Sequence, residues 1–76
     1  MIDLSLTAND EMAMEIGVKR FSEAHPDERW DVTGNRGLVL IVTGSRITGF
    51  AEVPVARVMD MADSVFTALE QFREKL

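Results

Sequence analysis

The period of the hydrophobic pattern changes twice along this chain, and that change constrains the fold more than any other feature of the sequence. Residues 8–24 and 54–76 repeat apolar side chains at the spacing of an amphipathic helix. Between them, residues 29–53 hold four of the chain's five glycines among Val, Ile, Thr, Phe and Trp, which suit a pleated surface. The pattern therefore predicts an α+β fold: a helix, a three-stranded antiparallel meander and a second, C-terminal helix packed on one face of the sheet.

The first helix is predicted over Ala8–Ala24. Thr7 and Asp10 have the spacing of a capping box, and Pro26 ends the helix because the residue before a proline is pushed out of the helical region. The apolar face comprises Ala13, Met14, Gly17, Val18, Phe21 and Ala24. Upstream, residues 2–7 alternate apolar and polar side chains, which is compatible with one more strand at the N-terminus.

The sequence Thr-Gly-x-Arg occurs twice, at 33–36 and at 43–46. Glycine-rich turns with an arginine can present N–H groups and positive charge to a phosphate. The two copies lie at opposite ends of the predicted central strand, however, and neither precedes a helix whose dipole could assist. We therefore interpret both as chain reversals rather than as phosphate-binding loops.

The loop lengths set the predicted strand pairing. A two-residue turn at 44–45, in which glycine supplies positive φ, would place Val42 opposite Ile47. A three-residue loop at 35–37 would place Trp30 opposite Val42 and turn the indole toward the core. The inner face of the sheet would then carry Leu38, Leu40, Val42, Ile47, Ala51 and Val53.

The second helix is predicted to begin at Pro54, whose missing N–H does no harm in a first turn, and to run to the C-terminus. Its apolar residues are Val55, Val58, Met59, Met61, Ala62, Val65, Phe66, Ala68, Leu69, Phe72 and Leu76. They cover about half of the circumference, whereas a helix lying on one sheet face needs an arc of only ~100°. The wide arc favours a contact beyond the sheet.

Composition narrows the functional classes. Seventy-six residues predict a single domain over 1–76, which buries only roughly 60% of the surface that its unfolded chain exposes. A net charge of −5 opposes direct binding to nucleic acid, whose affinity for proteins comes largely from Lys and Arg. The absence of cysteine fits a reducing cytoplasm, and the longest apolar run, at 38–42, is too short to span a membrane.

The chain's one histidine, His25, lies near two carboxylates, Asp27 and Glu28, which could together bind a metal or transfer a proton. A histidine at a helix C-terminus is also favoured by the helix dipole alone, and no second histidine or cysteine completes a transition-metal site. We predict no catalytic, metal-binding or cofactor-binding residues and no enzymatic activity. A small ligand-binding or enzymatic domain centred on His25 is the alternative.

The second face of the sheet is the main candidate for binding another protein. It is predicted to carry an apolar stripe of Val39, Ile41 and Phe50, with Val39 opposite Phe50, inside a rim of charged and hydroxyl side chains. An antiparallel sheet can also leave one face in water. Since so short a chain has few contacts of its own, we favour a homodimer or another stable protein partner.

A ridge of four acidic residues, Asp60, Asp63, Glu70 and Glu74, is predicted along the second helix. Such a ridge is commonly a solvated helix face. The alternative is that it faces a basic groove on a partner, as in a phage-type, anti-CRISPR-like inhibitor of a nucleic-acid-binding host defence machine. The leading prediction is a small acidic, dimeric regulator, inhibitor or assembly factor, with this inhibitor as an alternative.

Overall fold

The described residues form two helices and a three-stranded antiparallel sheet, which confirms the predicted α+β class. The computed structural model describes residues 7–35 and 38–76, so the strand proposed within residues 2–7 lies almost entirely outside the described residues. The elements are α1 (Ala8–Ala24), β1 (Trp30–Asn35), β2 (Val39–Gly44), β3 (Ala51–Pro54) and α2 (Met61–Glu74). The strand order is β1-β2-β3, and both helices pack on the sheet face that carries Leu40 and Val42.

Helix α1 has the predicted bounds because both of its ends are determined locally. The Asp10 backbone N–H donates to Thr7 Oγ1 at 3.1 Å, and the Thr7 N–H donates back to Asp10 Oδ2 at 3.2 Å, which completes the capping box. Its buried residues are Met14, Gly17 and Phe21. Ala24, predicted on the same face, is exposed in the last turn.

The pairing of β1 with β2 differs from the prediction by two residues. Trp30 lies opposite Gly44 and Val32 opposite Val42, whereas a three-residue loop at 35–37 would place Trp30 opposite Val42. A bulge at Thr33 then shifts the register by one. A displacement of two keeps every side chain of this stretch on the same face, so Trp30 is buried as predicted.

The pairing of β2 with β3 was also wrong, by four residues. Val42 lies opposite Ala51 rather than Ile47, and Leu40 lies opposite Val53. The observed register brings two large apolar side chains together in the core, where the predicted one would place Leu40 opposite a glycine. Residues 45–50 therefore form a loop, and not the predicted two-residue turn at 44–45.

Gly44 is required for a close approach and not for the positive φ that we predicted. A Cβ at this position would lie 2.4 Å from the Arg29 carbonyl oxygen, which accepts a hydrogen bond from the Ser45 N–H at 3.0 Å. Positive φ occurs instead at Gly49, at 79°, inside the loop at 45–50. The close backbone contact between Gly44 and Arg29 thus helps to hold the start of β1 against the end of β2.

Helix α2 begins at Met61, seven residues later than predicted. Pro54 ends β3, an edge strand of the described sheet, where a proline is tolerated because no other described strand requires an N–H donor at this position. The true N-cap is Asp60, whose Oδ1 accepts the Asp63 N–H at 3.1 Å. Residues 55–60 consequently connect the sheet to the helix as an irregular segment.

The apolar arc of α2 from Met61 to Phe72 is accounted for within the chain. Helix α2 contacts α1 along one flank and β3 along the other. Phe66 packs edge-on against Phe21 of α1, with ring centroids 6.4 Å apart, and Phe72 against Trp30 of β1 at 6.3 Å. The described helices are 17 and 14 residues long, and neither is long and apolar enough to cross a membrane.

The two helices approach one another closely at Gly17. A Cβ there would lie 2.6 Å from the Ala62 carbonyl oxygen and 2.7 Å from the Val65 Cβ. Both distances are shorter than non-bonded atoms allow, so only glycine permits this approach. Val65 is fully buried at the contact, which makes the crossing part of the core.

We expect Gly17→Ala to destabilise the fold by about 2 kcal/mol, because overpacking costs up to ~3 kcal/mol and better helix propensity returns ~1 kcal/mol. Urea unfolding followed by circular dichroism measures the difference. The exposed Glu15→Ala, on the same helix, should change the free energy of unfolding by less than about 0.5 kcal/mol. A Gly17→Ala protein as stable as the wild type would show that the close crossing is not required.

Candidate functional site

The outer face of the sheet contains two of the three residues predicted for partner binding. Val39 and Ile41 lie on β2 and are half-buried. Both helices pack on the inner face, so no helix of the described chain covers the outer one. Phe50 does not lie opposite Val39 as predicted: Val39 faces Pro54, and Phe50 lies in the loop before β3 with 63% of its surface exposed.

Charge on the outer face is balanced near β1. Arg29 Nε donates to Asp31 Oδ2 at 2.9 Å, and both side chains are exposed. These two residues line a shallow hollow together with Thr43 and Ser45. The face therefore combines aliphatic residues with a paired cation and anion, and carries little net charge at this end.

The predicted acidic ridge is divided among three roles. Asp60 caps α2, and Glu70 lies on the flank of α2 that meets α1, with its Oε1 2.5 Å from His25 Nε2. Asp63 and Glu74 are exposed. Three of the four residues are thus exposed, although Asp60 also caps α2, and Glu70 contributes to the contact with His25.

His25 does not gather the neighbouring carboxylates around itself. Its imidazole lies between Glu70 and the ring of Phe21, whose centroid is 5.0 Å away. Asp27 is exposed, and Glu28 turns toward α2. Among residues 7–35 and 38–76, no three His, Cys, Asp or Glu side chains are arranged to hold a metal ion. The imidazole is part of the contact between the helices.

Glu28 is the centre of a polar cluster that sequence reasoning missed. Arg73 donates to both of its carboxylate oxygens, through Nε at 2.9 Å and a terminal nitrogen at 3.0 Å. Trp30 Nε1 donates to Glu28 Oε1 at 3.0 Å, and a terminal nitrogen of Arg46 lies 3.5 Å from Glu28 Oε2. Glu28 and Arg73 are 45 residues apart in the chain, so no local spacing indicates their pairing.

The same contacts shift the acid–base properties of the pair. The hydrogen bonds from Arg73 and then from Trp30 lower the pKa of Glu28 from 4.5 to about 2, because they stabilise the ionised carboxylate. The carboxylate of Glu28 in turn raises the pKa of Arg73. The cluster joins the loop after α1 to the last turn of α2 and to the 45–50 loop.

A second exposed apolar surface appears where the sequence predicted a helix. In the segment between β3 and α2, Val58 is 51% exposed and Met59 is fully exposed. Beside them a groove of about 420 Å³ runs along α2. Helical periodicity assigned these residues to a buried arc, and only the Asp60 cap could have shown that they precede the helix.

Comparison with protein-family models, with curated proteins and with solved structures found no match.

Glu28 should make folding stability depend on pH in acid. Its pKa is 4.5 when unperturbed and about 2 in the fold, so its stabilising effect is fully present above pH 4.5 and is lost as the pH falls through about 2. The difference in unfolding free energy between the wild type and Glu28→Gln should therefore be largest near neutral pH and shrink across this window. Denaturant unfolding at a series of pH values measures it.

The matched control is Asp27→Asn, which removes the adjacent exposed carboxylate. It should retain the wild-type pH profile, because Asp27 has no ion pair with a described residue. A constant difference between the wild type and Glu28→Gln from neutral pH to pH 2 would contradict the role of this cluster.

Proposed function

We propose that this protein is a non-enzymatic binding protein that acts as a homodimer on another protein, as a regulator, inhibitor or assembly factor. The observation that carries the proposal is the outer sheet face, where Val39 and Ile41 have no covering helix from the described chain and the neighbouring loop exposes Phe50. Aliphatic and aromatic side chains rimmed by polar groups are the composition of protein interfaces. The cysteine-free composition supports a cytoplasmic location.

The exposed phenylalanine is the strongest single element of this surface. Burial of apolar surface contributes roughly 25 cal/mol per Å², and aromatic side chains supply much of the buried area at interfaces. Phe50 lies directly before β3, while Val39 and Ile41 lie on the adjacent strand β2. A partner seated on the sheet could therefore bury aliphatic residues of β2 and an aromatic residue of the loop together.

Electrostatics favour this face for self-association. The chain carries a net charge of −5, and two copies meeting through the exposed side of α2 would bring Asp63 and Glu74 against their counterparts. On the sheet, Arg29 and Asp31 neutralise one another, and Glu52 of β3, opposite Ile41, is the acidic residue that remains without an ion pair to a described residue. A second copy therefore meets less repulsion at the sheet than at α2.

The wide apolar arcs of the two helices do not support the proposed self-association. Helix α2 uses its arc to contact both α1 and the sheet, and its fully buried residues, such as Val65 and Leu69, lie inside the core. The proposal therefore depends on the outer sheet face alone.

A second candidate is an inhibitor of a nucleic-acid-binding defence machine that presents acidic side chains to a basic groove. It is favoured by the exposure of Asp63 and Glu74 on one side of α2. Reversal of these two residues to lysine should abolish competition with DNA for such a machine. Glu70 should be left unchanged in that test, because its reversal would also disturb the contact with His25.

For the dimer, we expect Phe50→Glu to shift the protein from dimer to monomer, because a buried unpaired charge at an interface is costly. Sedimentation velocity at micromolar concentrations measures the change. Met12→Glu is the matched control, since Met12 of α1 is 60% exposed, close to the 63% of Phe50, and the substitution adds the same charge. It should leave the dimer intact.

A wild-type protein that stays monomeric across the micromolar range would rule out the dimer. Equal dissociation by Phe50→Glu and Met12→Glu would assign self-association to general charge effects and not to the sheet face.

A further inference from the structure

The segment between β3 and α2 is irregular but held at several points. The Val55 N–H donates to the Leu38 carbonyl at 2.7 Å, and the Val55 side chain is buried. Ser64 Oγ of α2 donates to the Ala56 carbonyl at 2.8 Å. Asp60 then caps the helix through the Asp63 N–H. A segment fixed in this way loses little conformational freedom when something binds to it.

This segment and α2 form the two walls of the groove of about 420 Å³. Its apolar lining is Pro54, Ala56, Val58 and Ala68. The volume lies within the range of about 300–1,000 Å³ that is typical of ligand sites, which is enough for one or two large side chains. Val58 is half-exposed in the wall, so an apolar side chain entering the groove would remove it from water.

One end of the groove is negatively charged. Asp60 and Asp63 line it, and neither makes an ion pair with a residue in the described parts of the chain. The nearest arginine in sequence, Arg57, places its guanidinium 3.2 Å from Asp10 Oδ2 of α1, and no lysine or arginine among residues 7–35 and 38–76 lines the groove. A cationic group beside the apolar occupant would therefore meet complementary charge.

We propose that this groove binds a short segment of a partner protein in which an apolar side chain is flanked by lysine or arginine. The apolar side chain lies against Val58 and Ala68, and the cation lies beside Asp60 and Asp63. This inference rests on the proposed binding function and adds the chemistry of the partner. The same carboxylates repel both a second copy of this acidic chain and a nucleic-acid backbone, which leaves a basic protein segment as the occupant.

The test uses the full chain and a fluorescein-labelled peptide with a central leucine between lysines. Two control peptides replace the leucine by serine or the lysines by glutamates. The Leu/Lys peptide should bind, and both controls should bind at least about tenfold more weakly, because each lacks one half of the recognition. Amide shift changes in NMR spectra should concentrate at Val58, Ser64 and Ala68.

Charge reversal at two positions of α2 distinguishes peptide binding in the groove from general electrostatic attraction. Asp63→Lys should weaken binding of the Leu/Lys peptide about tenfold, whereas Glu74→Lys, with the same change in net charge on the same side of the helix, should change it less than about threefold. Glu74 lies 11 residues beyond Asp63, about 16 Å along the axis at ~1.5 Å per residue, and does not line the groove. Val58→Ser, which keeps all charges, should also weaken binding.

If the two lysine substitutions weakened peptide binding equally, the peptide would be held by diffuse attraction to an acidic surface, and the proposed groove site would be wrong. If the amide shift changes were confined to Val39, Ile41 and Phe50, the peptide would bind the sheet face and not the groove, and the proposed function would still hold. Absence of binding by the Leu/Lys peptide also overturns the groove. The proposed function fails separately, by its own measurement, if the wild-type protein does not dimerise.

Discussion

The close crossing of α1 and α2 at Gly17 is the contact on which the rest of the structure depends. With no side chain at this position, the α2 backbone at Ala62 can approach α1 directly, and Val65 becomes fully buried. The same approach brings Phe21 within reach of both Phe66 and Trp30, so a single aromatic ring contacts α2 and the sheet. A chain this short has one core, and this crossing allows both helices and the sheet to share it.

Polar contacts at the far end of the helices maintain the same arrangement. Glu28 receives hydrogen bonds from Trp30 and Arg73, and Glu70 lies against His25, so the loop after α1 is joined to α2 twice. The pairing of Glu28 with Arg73 also explains the perturbed pKa values of both groups. Glu70, which appeared from the sequence to belong to a solvated ridge, and Glu28, which appeared beside a possible metal site, therefore serve the contact between the helices and the sheet.

Local signals in the sequence predicted local structure well. The bounds of α1 follow from a capping box and from Pro26, both within one helical turn of the ends. The predicted strand registers were wrong because the length of a loop depends on contacts that are distant in sequence. Val53, and not Gly49, lies opposite Leu40, so the loop between β2 and β3 is longer than predicted. The inner face was nevertheless predicted correctly, because both register errors were even numbers of residues and an even shift keeps each side chain on the same face of the sheet.

The candidate surfaces were predictable to a similar extent. Alternation along β2 correctly placed Val39 and Ile41 on the outer face, but the position of Phe50 depended on the wrong register. Val58 and Met59 could not be identified because Pro54 suits an edge strand as well as a first helical turn. Because α2 begins at Met61, after the Asp60 cap, both residues are exposed, and Val58 lines the groove beside two carboxylates.

The two proposed surfaces select for different partners by charge. The outer sheet face, with Arg29 paired to Asp31, has little net charge at that end and is the face proposed for self-association. The groove beside α2, with Asp60 and Asp63 at its end, repels another copy of the chain and attracts a cation. The groove meets the sheet at Pro54, opposite Val39, but the rest of its lining lies on the 55–60 segment and α2, so occupation of one surface leaves most of the other accessible. A dimer joined through its sheets would thus present two acidic grooves, and a partner with two basic segments would gain affinity from binding both.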